Sequence, residues 1–389
     1  MAVYKIFPYQ DTSLYSMYPT MNTGIDPINQ ISNLNFAIDT QPSVARTLIQ
    51  FDSDEIDDTI TNIIQDSESF EARLRCYIAT AQGIVESSTV EVWPIAVGGA
   101  TGELEWNMGT GTYLDQPLTT DGACWESPFF ANGNQWPINV PDNYGTPTGS
   151  YNTKYASVGG GAWYTASTAP GSSQFAISTS FTPRSDKDLN IPVTDIVKAW
   201  TGSYLPNHGF LLKWETYAEF NPNTMVQPVM QYYSVDTNTI YPPELEFRWD
   251  DSSWDTGSSA TTVLNEQNMY ISLAENPGVF FSESINRFRL NVRPKYPKRE
   301  FVTGSLYTKQ YYLPSASAWY AVKDLDTNEF VVDFDNNYTK VSADATSSYF
   351  DLYMNGFEPE RYYQVLVKVN AGDSTTIYDN EYYFKIVNG

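Results

Sequence analysis

The chain has 389 residues, 41 % of them hydrophobic and 15 % aromatic, enough to bury a core without disulfide or metal staples. A net charge of −24 repels nucleic acid and anionic membranes, whose binding depends on clustered Lys and Arg. With 29 Tyr, 23 Gly and 23 Pro and no long amphipathic helix, the chain reads as all-β, in about two or three domains.

The sequence opens Met1-Ala2-Val3-Tyr4-Lys5-Ile6-Phe7-Pro8, where no charged segment leads into an apolar run. No export signal is read there, and synthesis in a host cytoplasm is expected. No apolar stretch is long enough to span a membrane. Residues 1–30 read as an irregular arm, with Tyr9, Tyr15, Met17, Tyr18 and Met21 set among Pro8, Pro19 and Pro27. Its aromatic residues are expected to pack on the chain's own domain or on another subunit. Strands are expected over 44–51, 74–79, 88–95, 174–181 and 209–214, with a short helix near 55–64 begun by the acidic run Asp52 to Asp58. The Gly-, Ser- and Thr-rich stretch 98–173 is too long to be a mere connection and reads as functional. A boundary is placed at Gly257-Ser258-Ser259-Ala260, giving a sandwich over 31–256 and a connecting segment over 257–299. That segment carries strands over 269–273 and 286–292. The final domain, 300–389, is a small sandwich with strands over 319–324, 330–334, 349–354, 363–369 and 382–387.

Cys76 and Cys124 sit in apolar contexts and read as buried free thiols. His208 is the only histidine, and with no nucleophile elbow in the sequence it reads as a turn residue rather than a catalytic base. Glu103, Glu105 and Glu126 lie near Trp106, Trp125 and Trp136 and offer the carboxylate pair that a glycosidase needs. The run Asp52 to Asp58 lacks the spacing of a calcium loop and reads as a helix cap, and Asp333, Asp335, Asn336 and Asn337 read as an Asx-rich turn. No metal site and no cofactor is therefore expected. Trp106, Trp125, Trp136, Trp163 and Tyr164 form a candidate platform for stacking a glycan. Arg287, Arg289, Arg293, Lys295, Lys298 and Arg299 form a basic cluster in an otherwise acidic chain, and read as a docking site for another subunit.

Several pieces, in order along residues 15–250, resemble the DNRLRE family and the related carbohydrate-binding modules of family 96. They are Asn22-Thr23-Gly24, then Arg46 to Asp52, Ala72 to Tyr77, Trp106 with Gly109-Thr110-Gly111, Asp121 to Trp125, Val193 to Trp200, Asn207 to Lys213, and Pro243 to Phe247. Asn107 and Met108 depart from the acidic residue the family places after its first Trp. The resemblance implies a jelly-roll-like sandwich for the first domain. In the last domain, Phe357-Glu358-Pro359 followed by Tyr363 to Val367 is similar to the tyrosine corner of fibronectin type III and immunoglobulin-like domains. There a Tyr opens a strand and ties its hydroxyl to nearby backbone.

The resulting expectation is a non-enzymatic structural protein of a virion, such as a phage tail, baseplate or neck component. Its partners would be other virion proteins and copies of itself. A carbohydrate-binding adhesin with a glycan partner is the alternative, and a polysaccharide-degrading enzyme the second alternative.

Overall fold

A computed structural model describes residues 2–34, 43–66, 69–97, 105–114, 118–129, 135–136, 144–145, 159–165, 175, 177–220, 227–257, 262–297 and 311–389. The chain is all-β with sandwich-like sheets, and it divides into two compact units. One comprises Ile6–Ser67 and Glu71–Glu246, and the other Met1–Lys5, Glu68–Phe70 and Phe247–Gly389. The division at residues 246–247 replaces the boundary expected at residues 257–260.

The larger unit is built on an eight-stranded sheet. Its path runs Ser178–Phe181, Ser88–Pro94, Phe210–Trp214, Ser43–Gln50, Ile28–Leu34, Gln227–Tyr233 and Ile78–Gln82, with Gln10–Tyr15 also pairing to Ser43–Gln50. The pairs within it are antiparallel, with Leu48 opposite both Leu211 and Thr12. Residues alternate between the faces of a strand. Val44, Arg46 and Leu48 therefore share a face with Leu14, Leu211 and Lys213. That face bears a core of Leu14, Val44, Leu48, Leu211, Trp106, Trp125, Trp136 and Trp163. The strands Phe70–Cys76 and Leu189–Pro192 pair elsewhere, and the helix Thr194–Thr201 buries Ile196, Val197 and Trp200, the last with its ring tilted against Phe210 at 4.7 Å. Asp52 caps the helix Ser53–Asp58 by accepting from the N–H groups of Asp54 and Glu55, as the acidic run implied.

Residues 1–30 are not an irregular arm. They contain the strands Ala2–Ile6 and Gln10–Tyr15 and the start of Ile28–Leu34. Tyr15 and Met21 are buried against Ala45 of the same chain. The hydropathy of Gln10–Tyr15 conceals this, because its buried polar residues bond other segments: the Thr12 and Thr23 hydroxyls lie 3.3 Å apart, and the Ser13 hydroxyl donates to Asn29 at 3.3 Å.

The smaller unit encloses one core between two sheets. One runs Met269–Leu273, Ile285–Pro294, Ser348–Tyr353 and Ser342–Ala343. The other runs Val279–Phe281, Ser374–Val387, Tyr362–Ala371, Ala318–Asp324 and Phe330–Val332. Aromatic residues from both fill the space between: Phe288 stacks on Phe350 at 5.4 Å, Tyr320 stacks on Phe350 at 4.3 Å, and Phe384 meets Phe288 at 5.5 Å. The segment expected to connect two domains, 257–299, thus supplies three strands of this unit.

Candidate functional site

The core-facing positions of the larger unit's sheet include two cations. Arg46 and Lys213 are fully buried, and each is met by carboxylates. Arg46 makes a two-pronged pair with Glu219, Nε to Oε1 at 2.9 Å and Nη2 to Oε2 at 2.8 Å, and its Nη1 donates to the Gly160 carbonyl at 2.6 Å. Lys213 Nζ lies 3.2 Å from Glu91, its cross-strand neighbour, and 3.5 Å from Glu219. Burial pulls the Glu91 carboxyl upward, but Lys213 and the bonds from Trp93 and Thr216 outweigh it, leaving the group below the usual carboxylate range. Among the described residues, the network sets two cations against two anions. Gly160 permits it: its φ is +81°, and a Cβ there would fall 2.6 Å from the Trp125 ring and 2.7 Å from Arg46.

This network explains where the expected glycan platform goes. Trp106, Trp125, Trp136, Trp163 and Tyr164 are each no more than 4 % exposed. Trp125 and Trp163 present their faces to the Arg46 guanidinium at 5.0 and 5.6 Å, and Lys213 Nζ lies 5.3 Å from Trp163. The indole N–H groups of Trp106 and Trp136 donate to the carbonyls of His208 and Cys124. All five rings are buried, and Trp125 and Trp163 face the protein's own cations, so the platform is core rather than a surface for sugar. Of the three glutamates proposed beside it, Glu105 and Glu126 are exposed, and Glu103 lies outside the described residues. His208 is buried with no hydrogen-bond partner for either ring nitrogen among the described residues, and burial lowers its pKa to about 4. Cys76 and Cys124 are free and buried, as expected.

The family-like pieces meet around Asn22. Its Nδ2 donates to the carbonyls of Met108 and Ala123 at 2.6 and 2.9 Å, and its Oδ1 accepts from the N–H groups of Gly24 and Gly111 at 3.1 and 2.8 Å. The amide is saturated. A Cβ on Gly122 would fall 2.5 Å from the Gly109 Cα and 2.6 Å from Asn22 Nδ2, so the backbones approach as only glycines allow. Asp121 locks the same loop by accepting from the Thr110 N–H and hydroxyl. Asn207 bonds the Phe51 carbonyl and accepts from Gly209, bracing the turn before Phe210–Trp214. Around the Asn22 brace, Met17, Ile25, Tyr113, Leu114 and Leu118 remain exposed, with the Tyr113 ring 4.9 Å from Tyr15 and 6.1 Å from Tyr18.

In the smaller unit the Tyr363 hydroxyl donates to the Glu358 carbonyl at 3.0 Å, the tie expected of a tyrosine corner. Asp335 accepts from the N–H groups of Asn337 and Tyr338, the Asx turn read from the sequence. The basic cluster is not one free patch. Arg287, Arg289 and Arg293 alternate along Ile285–Pro294 on the face opposite Phe288, Leu290 and Val292. Arg287 forks onto Asp351, with both bonds 2.8 Å. Arg289 forks onto Asp344 at 3.0 and 2.8 Å, and its bonds hold that carboxyl well below the usual range. Arg293 lies 4.4 Å over the Tyr270 ring and Lys295 6.0 Å from Tyr296, while Lys298 and Arg299 lie outside the described residues. Local carboxylates therefore neutralise the two arginines that head the expected docking site.

Some of the smaller unit's exposed apolar side chains lie at one end of the five-stranded sheet. Val279 and Phe281 of the edge strand are 49 % and 60 % exposed, and Tyr362 and Tyr383, on the same outer face, 52 % and 41 %. Phe280, between them, points inward and packs on Phe288 and Phe384. A length of only 3 residues hides this edge in the sequence. The cations of the Arg46 network escape for another reason, since its four members come from four separate segments. The available signal was a cation at a core-facing position between Val44 and Leu48, which demands an anion. Compared with known proteins, the sequence matches no family model and no curated protein.

Proposed function

We propose that this chain is a non-enzymatic structural protein of a virus particle, of the phage tail, baseplate or neck type, working through contacts with neighbouring subunits. The observation that carries this reading is the exposed apolar pair Val279 and Phe281 on a sheet edge, with Tyr362 and Tyr383 farther in on the same outer face around Lys385, on a chain of net charge −24. Exposed apolar patches mark interaction sites, and strong like charge keeps a chain soluble at high copy number until a complementary partner covers them. In the same reading the larger unit is a DNRLRE-type sandwich, supported by the Asn22 brace that gathers the family-like glycines. The smaller unit is an immunoglobulin-like sandwich, supported by the Tyr363–Glu358 tie. The glycan-binding alternative loses its five rings to the core.

Mass spectrometry of purified particles, with antibody labelling in negative stain, tests the proposal. The chain is expected at fixed stoichiometry and at one location on the particle. Its absence from particles that are otherwise complete sinks the reading.

A further inference from the structure

Among the described residues, the edge strand Val279–Phe281 pairs parallel with Ser374–Val387 along one side only. Lys385 N–H donates to the Gly278 carbonyl at 2.8 Å, and Ser282 N–H donates to the Val387 carbonyl at 2.9 Å. In a parallel ladder alternate residues serve one neighbour, so Gly278, Phe280 and Ser282 serve this one. Val279 and Phe281 turn their main-chain groups the other way. The Phe281 carbonyl is taken by the Ser284 hydroxyl, which leaves the N–H and C=O of Val279 and the N–H of Phe281 aimed outward. The exposed Glu275 and Glu283 flank the strand, and Glu283, at φ +64°, turns the chain away from the sheet.

We propose that this edge takes an added strand from a different polypeptide: an extended segment with apolar residues at alternate positions and Lys or Arg between them. Main-chain groups would bond Val279 and Phe281, apolar side chains would cover the exposed pair, and the cations would answer Glu275 and Glu283. A second copy fits poorly. Antiparallel pairing of two such edges brings Glu283 of each toward the 275–277 segment of the other, on two chains that each carry a net charge of −24. The inference rests on the assembly reading, and the two fail separately, since absence from particles sinks that reading and absence of strand addition sinks this one.

The probe is a fluorescent peptide of alternating Val and Lys, followed by anisotropy with the full chain, beside a Val–Glu peptide and a Val–Lys peptide interrupted by Pro. The Val–Lys peptide should bind and the other two should not. Phe281→Pro removes an outward N–H together with the ring, at a position where an edge strand tolerates proline, and Phe281→Val is the control that removes the ring and keeps the N–H. The proline variant should weaken binding about tenfold, the worth of one main-chain bond, whereas Phe281→Val should weaken it less than about threefold. Glu275→Lys with Glu283→Lys should transfer preference to the Val–Glu peptide. Hydrogen exchange on the unmodified chain should show the Val279 and Phe281 amides protected only when peptide is present. Equal binding by Phe281→Pro and Phe281→Val, no protection with peptide, or protection through self-association without it would each overturn the proposal.

Discussion

Asp11 is buried in Gln10–Tyr15, where desolvation raises its pKa to about 7 against the opposing bonds from Val235 and Asn29. A raised carboxyl pKa means that the folded chain holds the proton more tightly, so this contribution to stability is full below the unfolded value and is lost as pH rises through the folded one. His208 runs the other way. Its pKa is lowered to about 4, so stability present above the unfolded histidine value is lost as pH falls toward 4. Between pH 4 and 6.5 the two slopes oppose each other. Urea midpoints across that window should therefore rise with pH more steeply in Asp11→Asn than in the parent chain, and less steeply in His208→Gln. Above pH 7, Asp11→Asn should be the more stable protein, by up to about 4 kcal/mol. Tyr363→Phe tests a smaller effect, since losing the bond to Glu358 should cost about 1 kcal/mol in thermal or chemical unfolding.

Among the elements, the Arg46 network joins the strands Ser43–Gln50, Ser88–Pro94 and Phe210–Trp214 to the short helix Thr216–Phe220. Arg46→Met should cost about 3–5 kcal/mol, because Glu219 would be left beside Lys213 with half its compensation gone. Restoring neutrality with Arg46→Met and Glu219→Leu together should recover a large part of that loss, which a double-mutant cycle measures. Strands with clean alternation, such as Met269–Leu273 and Ile285–Pro294, are legible in the sequence, because one face has to be apolar. Gln10–Tyr15 is not, since its buried polar side chains bond other segments, at Gln50, Thr23, Asn29 and the Val235 N–H. The five aromatic residues of the expected platform lie in the core, a placement the sequence leaves open because composition does not say which face of a sheet a ring covers. The arginines of the basic cluster are visible in the sequence, whereas their partners Asp344 and Asp351 come from a distant hairpin that only folding brings near.

For the whole molecule, 46 acidic against 22 basic residues leave repulsion that folding must overcome. Salt shortens its reach to roughly 10 Å at 0.1 M. The melting temperature should rise as sodium chloride is increased from low concentration. Glu275→Lys with Glu283→Lys, two charges out of many and both exposed, should leave that salt response nearly unchanged while altering peptide preference. A variant whose melting point is insensitive to salt would place the governing charges in internal pairs instead.

The tryptophans of the larger unit give one last consequence, for anyone shortening this protein. The glycine- and serine-rich stretch between residues 98 and 173 resembles dispensable trimming, yet it delivers Trp106, Trp125, Trp136 and Trp163 to the interior and the Gly160 carbonyl to Arg46. Excising it would hollow out the unit and strand a cation in the cavity. Shortened versions should begin and end elsewhere.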